Sequence, residues 1–245
     1  MNGQALRMAV AGGLLIASAL AAEPLQELRG RLLAARSEQP IRVTVEVELA
    51  HKEKAGRLHR EGFKRRGRVV VDASLKGVHL WEQVWRSTTS GSSFWGDPKT
   101  APSSLLAEDD ARALVDPAEW LGILLVGSTV VDDQTSTWEG KPARLLVLRS
   151  PSLTAELEAG KTSKGGEPPV ADEMKIWLGA DGLPLALERT ALLRLADMET
   201  TQRQTLTFQQ SNGRLLVAQS TETSSGTGPS ATQGSDTKTM KVTVD

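Results

Sequence analysis

The stretch IRVTVEVEL, residues 41–49, sets Ile41, Val43, Val45, Val47 and Leu49 against Arg42, Thr44, Glu46 and Glu48. A period of two sends the two sets to opposite faces of a strand, one buried and one wet. That pattern belongs to an antiparallel sheet with a solvated side, since parallel strands are buried on both faces.

Outward from this strand the chain repeats the theme. RVVVDASLKGVHLWEQVW, residues 68–85, reads as two strands about a Lys76-Gly77 turn, with Leu75 facing Val78, Ala73 facing Leu80 and Val69 facing Val84. Lys is disfavoured at the first position of such a turn, which leaves the register open to a one-residue slip. Further strand pairs flank Glu139-Gly140-Lys141-Pro142, Ala180-Asp181-Gly182 and Asn212-Gly213. Asn-Gly is the strongest hairpin signal, and it sets Phe208 opposite Val217. A Gly/Ser/Thr loop over 221–237 precedes a last strand carrying Met240, Val242 and Val244. About ten strands result.

Two regions read as helix. In EPLQELRGRLLAA, Leu25, Leu28 and Leu32 share a face from about 24 to 36, with Pro24 suited to the first turn and Gly30 weakening the interior. A Ser/Gly-rich linker over 86–104 leads to helical sequence over 103–126, broken at Asp116-Pro117. Asp116 is placed as N-cap, with Glu119 three residues on.

The N-terminus carries Arg7 and then MAVAGGLLIASALA, an apolar run ending Ala19-Leu20-Ala21. This has the form of an export peptide over 1–21, cleaved near Ala21 to leave one domain over 22–245 in the periplasm or outside the cell. Export argues against nucleic acid as a partner. The chain has no Cys, so a hydrophobic core and not a disulfide framework must stabilise it.

Catalytic patterns fail one by one. Gly160-Lys161-Thr162 has Ala155 where a phosphate loop needs glycine, and Ser92 lacks the G-x-S-x-G elbow. His51, His59 and His79 do not have metal-ligand spacing. Asp132 and Asp133, adjacent in a strand, point to opposite faces and do not converge. The expectation is a protein that is not an enzyme and uses no cofactor or metal.

Two features remain. The chain has 6 Trp, 3 Phe and no Tyr, a balance that serves either core filling or an apolar or sugar-binding wall, with Trp95 in the most loop-like setting. HKEKAGRLHREGFKRRGR, residues 51–68, holds Lys52, Lys54, Arg57, Arg60, Lys64, Arg65, Arg66 and Arg68 against Glu53 and Glu61. It reads as a connection at the sheet rim, either a solvated tip that deters edge pairing or a contact for an anionic membrane surface or acidic partner through the first seven of these cations.

PAEWLGILLVG before a strand, GKPARLLVLRSP, MKIWLGADGLPLALER and LTFQQSNGRLLVAQST, in this order behind an N-terminal amphipathic helix, resemble the LolA/LolB-like superfamily of periplasmic lipoprotein carriers. The resemblance implies a mainly β fold of the α+β class: an unclosed antiparallel β-barrel with the N-terminal helix and the mid-chain helix pair on its concave face. It also implies a cavity for acyl chains of lipid or lipoprotein. Val45, Val47, Trp81, Trp120, Leu146, Trp177 and Phe208 are the candidate wall residues. The expected function is an exported carrier or binding protein for an apolar ligand; the alternative is an envelope regulatory or scaffold module that binds a partner protein through 51–68.

Overall fold

The computed structural model describes residues 24–53, 63–74, 77–89, 92–96, 106–150, 172–195, 198–227 and 234–245. The export segment, Lys54, Arg57, Arg60 and Gly160-Lys161-Thr162 lie outside them. After helix α1 (24–34) come β1 (Ile41–Glu53), β2 (Phe63–Ser74), β3 (Gly77–Thr89) and β4 (Ser92–Gly96). The helices α2 (Glu108–Val115) and α3 (Pro117–Leu124) follow. The remaining strands are β5 (Thr129–Trp138), β6 (Lys141–Ser150), β7 (Asp172–Leu178), β8 (Pro184–Leu195), β9 (Met198–Ser211), β10 (Arg214–Thr227) and β11 (Gly234–Val244).

The eleven described strands form one antiparallel sheet in the order β4-β3-β2-β1-β11-β10-β9-β8-β7-β6-β5. The first strand closes on the last, Val45 opposite Val242 and Val47 opposite Met240, which joins the N-terminal meander to the C-terminal one. The ends of the order, β4 and β5, are not neighbours, so the sheet is unclosed. Its inner face carries Val43, Val45, Val47, Val69, Val71, Leu146, Leu148, Ile176, Leu187 and Leu206, all buried in one cluster with the helices. Leu25, Leu28 and Leu32 of α1, Ala111 and Leu114 of α2, and Leu121 and Leu124 of α3 fill that cluster from the other side.

The expected fold class therefore stands, with corrections in detail. β4 occupies part of the stretch read as linker, and β10 and β11 extend through most of the loop read over 221–237, pairing Thr221 with Thr239 and Ser225 with Ser235. The 221–237 region is polar on each face, although Thr fits a pleated sheet well, and β4 carries its apolar Phe94 and Trp95 side by side, so no alternation marks either as strand. β2 and β3 pair with Ser74 opposite Gly77 and Ala73 opposite Val78, and Leu75 lies outside the described residues. Ala73 does not face Leu80, nor Val69 Val84: the register jumps from Val71–Leu80 to Val70–Glu82, leaving Trp81 as the extra residue of a β-bulge. At the Asn212-Gly213 turn both residues take positive φ, 53° and 72°, and Phe208 lies opposite Val217 as the hairpin signal requires.

Candidate functional site

Register on the inner face orders its chemistry in rows. One row runs Ile176, Leu187, Leu206, Ser220, Met240, Val47, apolar except at the fully enclosed Ser220. The next row, two residues along every strand, runs Met174, Arg189, Gln204, Glu222, Lys238, Leu49, Arg65. Two residues of strand span roughly 7 Å. Within that distance the inner face changes from hydrocarbon to a band of half-buried Arg189, Gln204, Glu222, Lys238 and Arg65.

The helices lie over the apolar rows and are held at their margins by polar contacts. Arg36, just beyond α1, donates to Asp116 Oδ2 at 2.6 and 3.0 Å and to Glu119 Oε2 at 3.1 Å, tying α1 to α3. Asp116 precedes α3 as expected but makes no capping bond; its carboxylate is turned to Arg36 instead. Arg29 donates to the carbonyl of Leu125 at 2.5 Å, and Lys238 binds Asp110 of α2 at 2.5 Å. Arg144 on β6 bridges Glu27 of α1 at 3.0 Å and Asp133 of β5 at 2.8 Å.

These hydrogen bonds from Arg144 hold the Asp133 carboxyl below the usual carboxylate range. A depressed carboxyl contributes stability that is present above its unfolded value near about 3.9 and is lost as pH falls through its folded value. Asp133→Asn should therefore flatten the acid limb of a urea-midpoint-versus-pH curve below about pH 4. The effect is small, about 0.5 kcal/mol, because the pair is partly exposed. An unchanged acid slope in the variant would count against the Arg144 clamp.

Several expected wall residues sit elsewhere than expected. Val45, Val47 and Leu146 are on the inner face but retain only 0%, 2% and 0% accessibility. A side chain beside a void wide enough for water keeps accessible surface, so these three are packed against protein rather than lining an open hollow. Trp120 and Phe208 are half-buried at the margin of the same cluster.

Trp177 is a correction, because it lies between the buried Ile176 and Leu178 and so points to the outer face. There it meets Trp138 with ring centroids 4.8 Å apart, opposite Leu145 in the register. Trp81 is the second correction: the bulge displays it on the outer face, 62% exposed.

The two ends of the basic stretch, 51–53 and 63–68, extend β1 and β2, and 54–62 lie outside the described residues. Lys52 is on β1 and Lys64 on β2, while the consecutive Arg65 and Arg66 point to opposite faces. Arg66 pairs with Glu48 at 2.6 Å, and Arg65 belongs to the inner polar band. Of the seven cations, only Arg65 and Arg66 have described side chains, and these two do not share a face.

Sequence reasoning missed Arg36, Arg144, Lys238 and Arg214. Apart from Asp133, 11 residues from Arg144, their partners lie 80 to 177 residues away in the chain, and no local pattern announces such pairs. The polar band had a faint trace in Lys238, which shares the parity of Met240 and Val242.

Among the described residues no group of three or more His, Asp or Glu side chains converges as a metal site would require, and no helix is long and apolar enough to cross a membrane. No family model matches the chain. No curated protein matches it either. Among solved structures it is similar to a LolA superfamily protein from Nitrosomonas europaea, at 10% identity and a TM-score of 0.32, over 89% of this chain and 90% of that one.

Proposed function

We propose that the protein is an exported, non-enzymatic carrier that takes an amphiphile, a lipid or the acylated end of a lipoprotein, against the inner face of the half-barrel. The observation that carries this reading is the two-row gradient: apolar side chains beside a band containing Arg189, Glu222, Lys238 and Arg65. A chain-and-headgroup molecule has the same order of polarity over the same length.

The helix layer occupies the acyl position, so binding requires it to shift. Its ion pairs are at the margins and partly exposed, and such pairs contribute only about 0–1 kcal/mol each. Burial of Leu25, Leu28 and Leu32 stabilises docking far more, by roughly 1.5–3 kcal/mol per side chain. An incoming acyl chain offsets that loss, at about 0.8 kcal/mol per buried CH2. Exchange of one apolar cover for another keeps the net cost low.

Native mass spectrometry of protein extracted from its envelope under mild conditions is expected to show a bound species of lipid mass. Purified protein is likewise expected to take up a fluorescent fatty acid. A ligand-free spectrum together with no uptake overturns the proposal.

A further inference from the structure

On the outer face, at the end of the sheet where β1 begins and β2 turns into β3, four side chains are built into one unit. Arg42 grips Asp72 through two bonds, Nε to Oδ1 at 2.7 Å and Nη2 to Oδ2 at 2.7 Å. The indole Nε1 of Trp81 also donates to Asp72 Oδ2, and the His79 ring stands edge-on to the indole at 75° with centroids 4.3 Å apart. The indole is thus held at one edge and against one ring, yet remains 62% exposed.

Its position is a product of the bulge. Trp81 is the additional residue between Leu80, which packs on the core opposite Val71, and Glu82, which pairs with Val70. Bulges of this kind re-aim a side chain without disturbing the ladder on either side. Leaving a Trp so exposed forgoes the burial such a side chain ordinarily finds. Beside the unit opens a concavity of about 580 Å³ lined by Pro40, Ile41, Arg42, Asp72, Val78 and His79 among others. It is a groove open to solvent rather than an enclosed pocket.

We infer that Arg42, Asp72, His79 and Trp81 form a saccharide-binding platform, with a pyranose ring lying on the indole and its hydroxyls meeting the groups around it. A sugar ring has an apolar C–H face and a rim of hydroxyls that both donate and accept, and this unit offers the complement of each: a flat aromatic face, guanidinium donors, a carboxylate acceptor and an imidazole. Other ligand classes fit less well. An anion meets Asp72, a cation meets Arg42, and an acyl chain finds a single ring flanked by charge. Hydrogen bonds from Arg42 keep the Asp72 carboxyl below the usual carboxylate range, so it remains an acceptor at neutral pH.

The test is saturation-transfer NMR and titration calorimetry with chitotetraose, cellotetraose and maltotetraose. At least one should bind, with transfer strongest at the C–H protons of one ring. Trp81→Ala should weaken it by about tenfold or more, with an unchanged thermal midpoint because the side chain is exposed. Trp81→Phe should retain part of the affinity, and Trp177→Phe, which alters the other outer-face aromatic pair, should leave it unchanged. Absence of binding by all three oligosaccharides, equal binding by Trp81→Ala, or loss of binding in Trp177→Phe alone overturns the assignment.

Discussion

Arg214→Ala is expected to lower the unfolding free energy by about 2–4 kcal/mol, a drop of about 5–15 °C in Tm for a chain of this size. Arg214 opens β10 and is only 7% accessible. Its guanidinium donates to the carbonyl of Ser37 and, at 2.6 Å, to that of Gln39, both in the connection between α1 and β1. Beside it Leu215 N–H binds the Ala35 carbonyl at 3.3 Å, so this corner fixes where α1 leaves the sheet. Burial pushes the Arg214 guanidinium pKa below its ordinary value, opposed in part by the field of Asp116. The residue nonetheless stays charged, because an arginine starts so far above neutrality.

Removing that side chain leaves two carbonyls short of a donor and a gap beneath the loop, and unmade buried bonds cost more than made ones return. Lys at this position keeps the charge but lacks the planar fork, so Arg214→Lys should fall between the two. Urea unfolding provides the number, and hydrogen exchange over residues 24–39 provides the location. A loss below about 0.5 kcal/mol, the scale of an ordinary surface substitution, would show that the loop is held by something else.

Arg214 also marks where the sequence stops being readable. The strand at 41–49 is legible because its alternation is local: Val43, Val45 and Val47 are buried at 0%, 0% and 2%. The helix at α1 is legible for the same reason, through Leu25, Leu28 and Leu32. Asn212-Gly213 is legible because few residue pairs tolerate two positive φ angles in succession.

Arg214, by contrast, follows that turn and looks like any solvated residue. What buries it is a loop 175 residues earlier, brought there by the closure of β1 on β11. The same holds for the site. The inner faces of single strands follow from parity, but the polar band exists only once seven strands are set in register. Trp81 and Trp177 lie on the outer face for two different reasons. Trp177 obeys parity, alternating with the buried Ile176 and Leu178, whereas Trp81 is moved by a bulge that no local pattern in residues 68–85 specifies.

Leu28→Ala and Leu32→Ala should each destabilise the fold by about 2–5 kcal/mol and at the same time strengthen acyl-chain uptake. Both side chains are 1% accessible and sit on the α1 face that fills the half-barrel. If the ligand replaces this helix layer, the closed state competes with binding, and apparent affinity is set by the fraction of molecules whose helices have shifted. Weakening the docking of α1 raises that fraction, by about tenfold for each 1.4 kcal/mol lost from the closed state alone. Stability and uptake then move in opposite directions, which simple damage to a preformed pocket does not produce.

Leu145→Ala is the control. Leu145 is 8% accessible, lies opposite Trp177 on the outer face and is absent from the inner cluster, so its loss should weaken the fold without changing uptake. Fluorescent fatty-acid titration of the three variants at a temperature where each remains folded decides the matter. Uptake that falls in step with stability in Leu28→Ala, Leu32→Ala and Leu145→Ala alike would mean that the helices are permanent core, and that any amphiphile must bind on another surface.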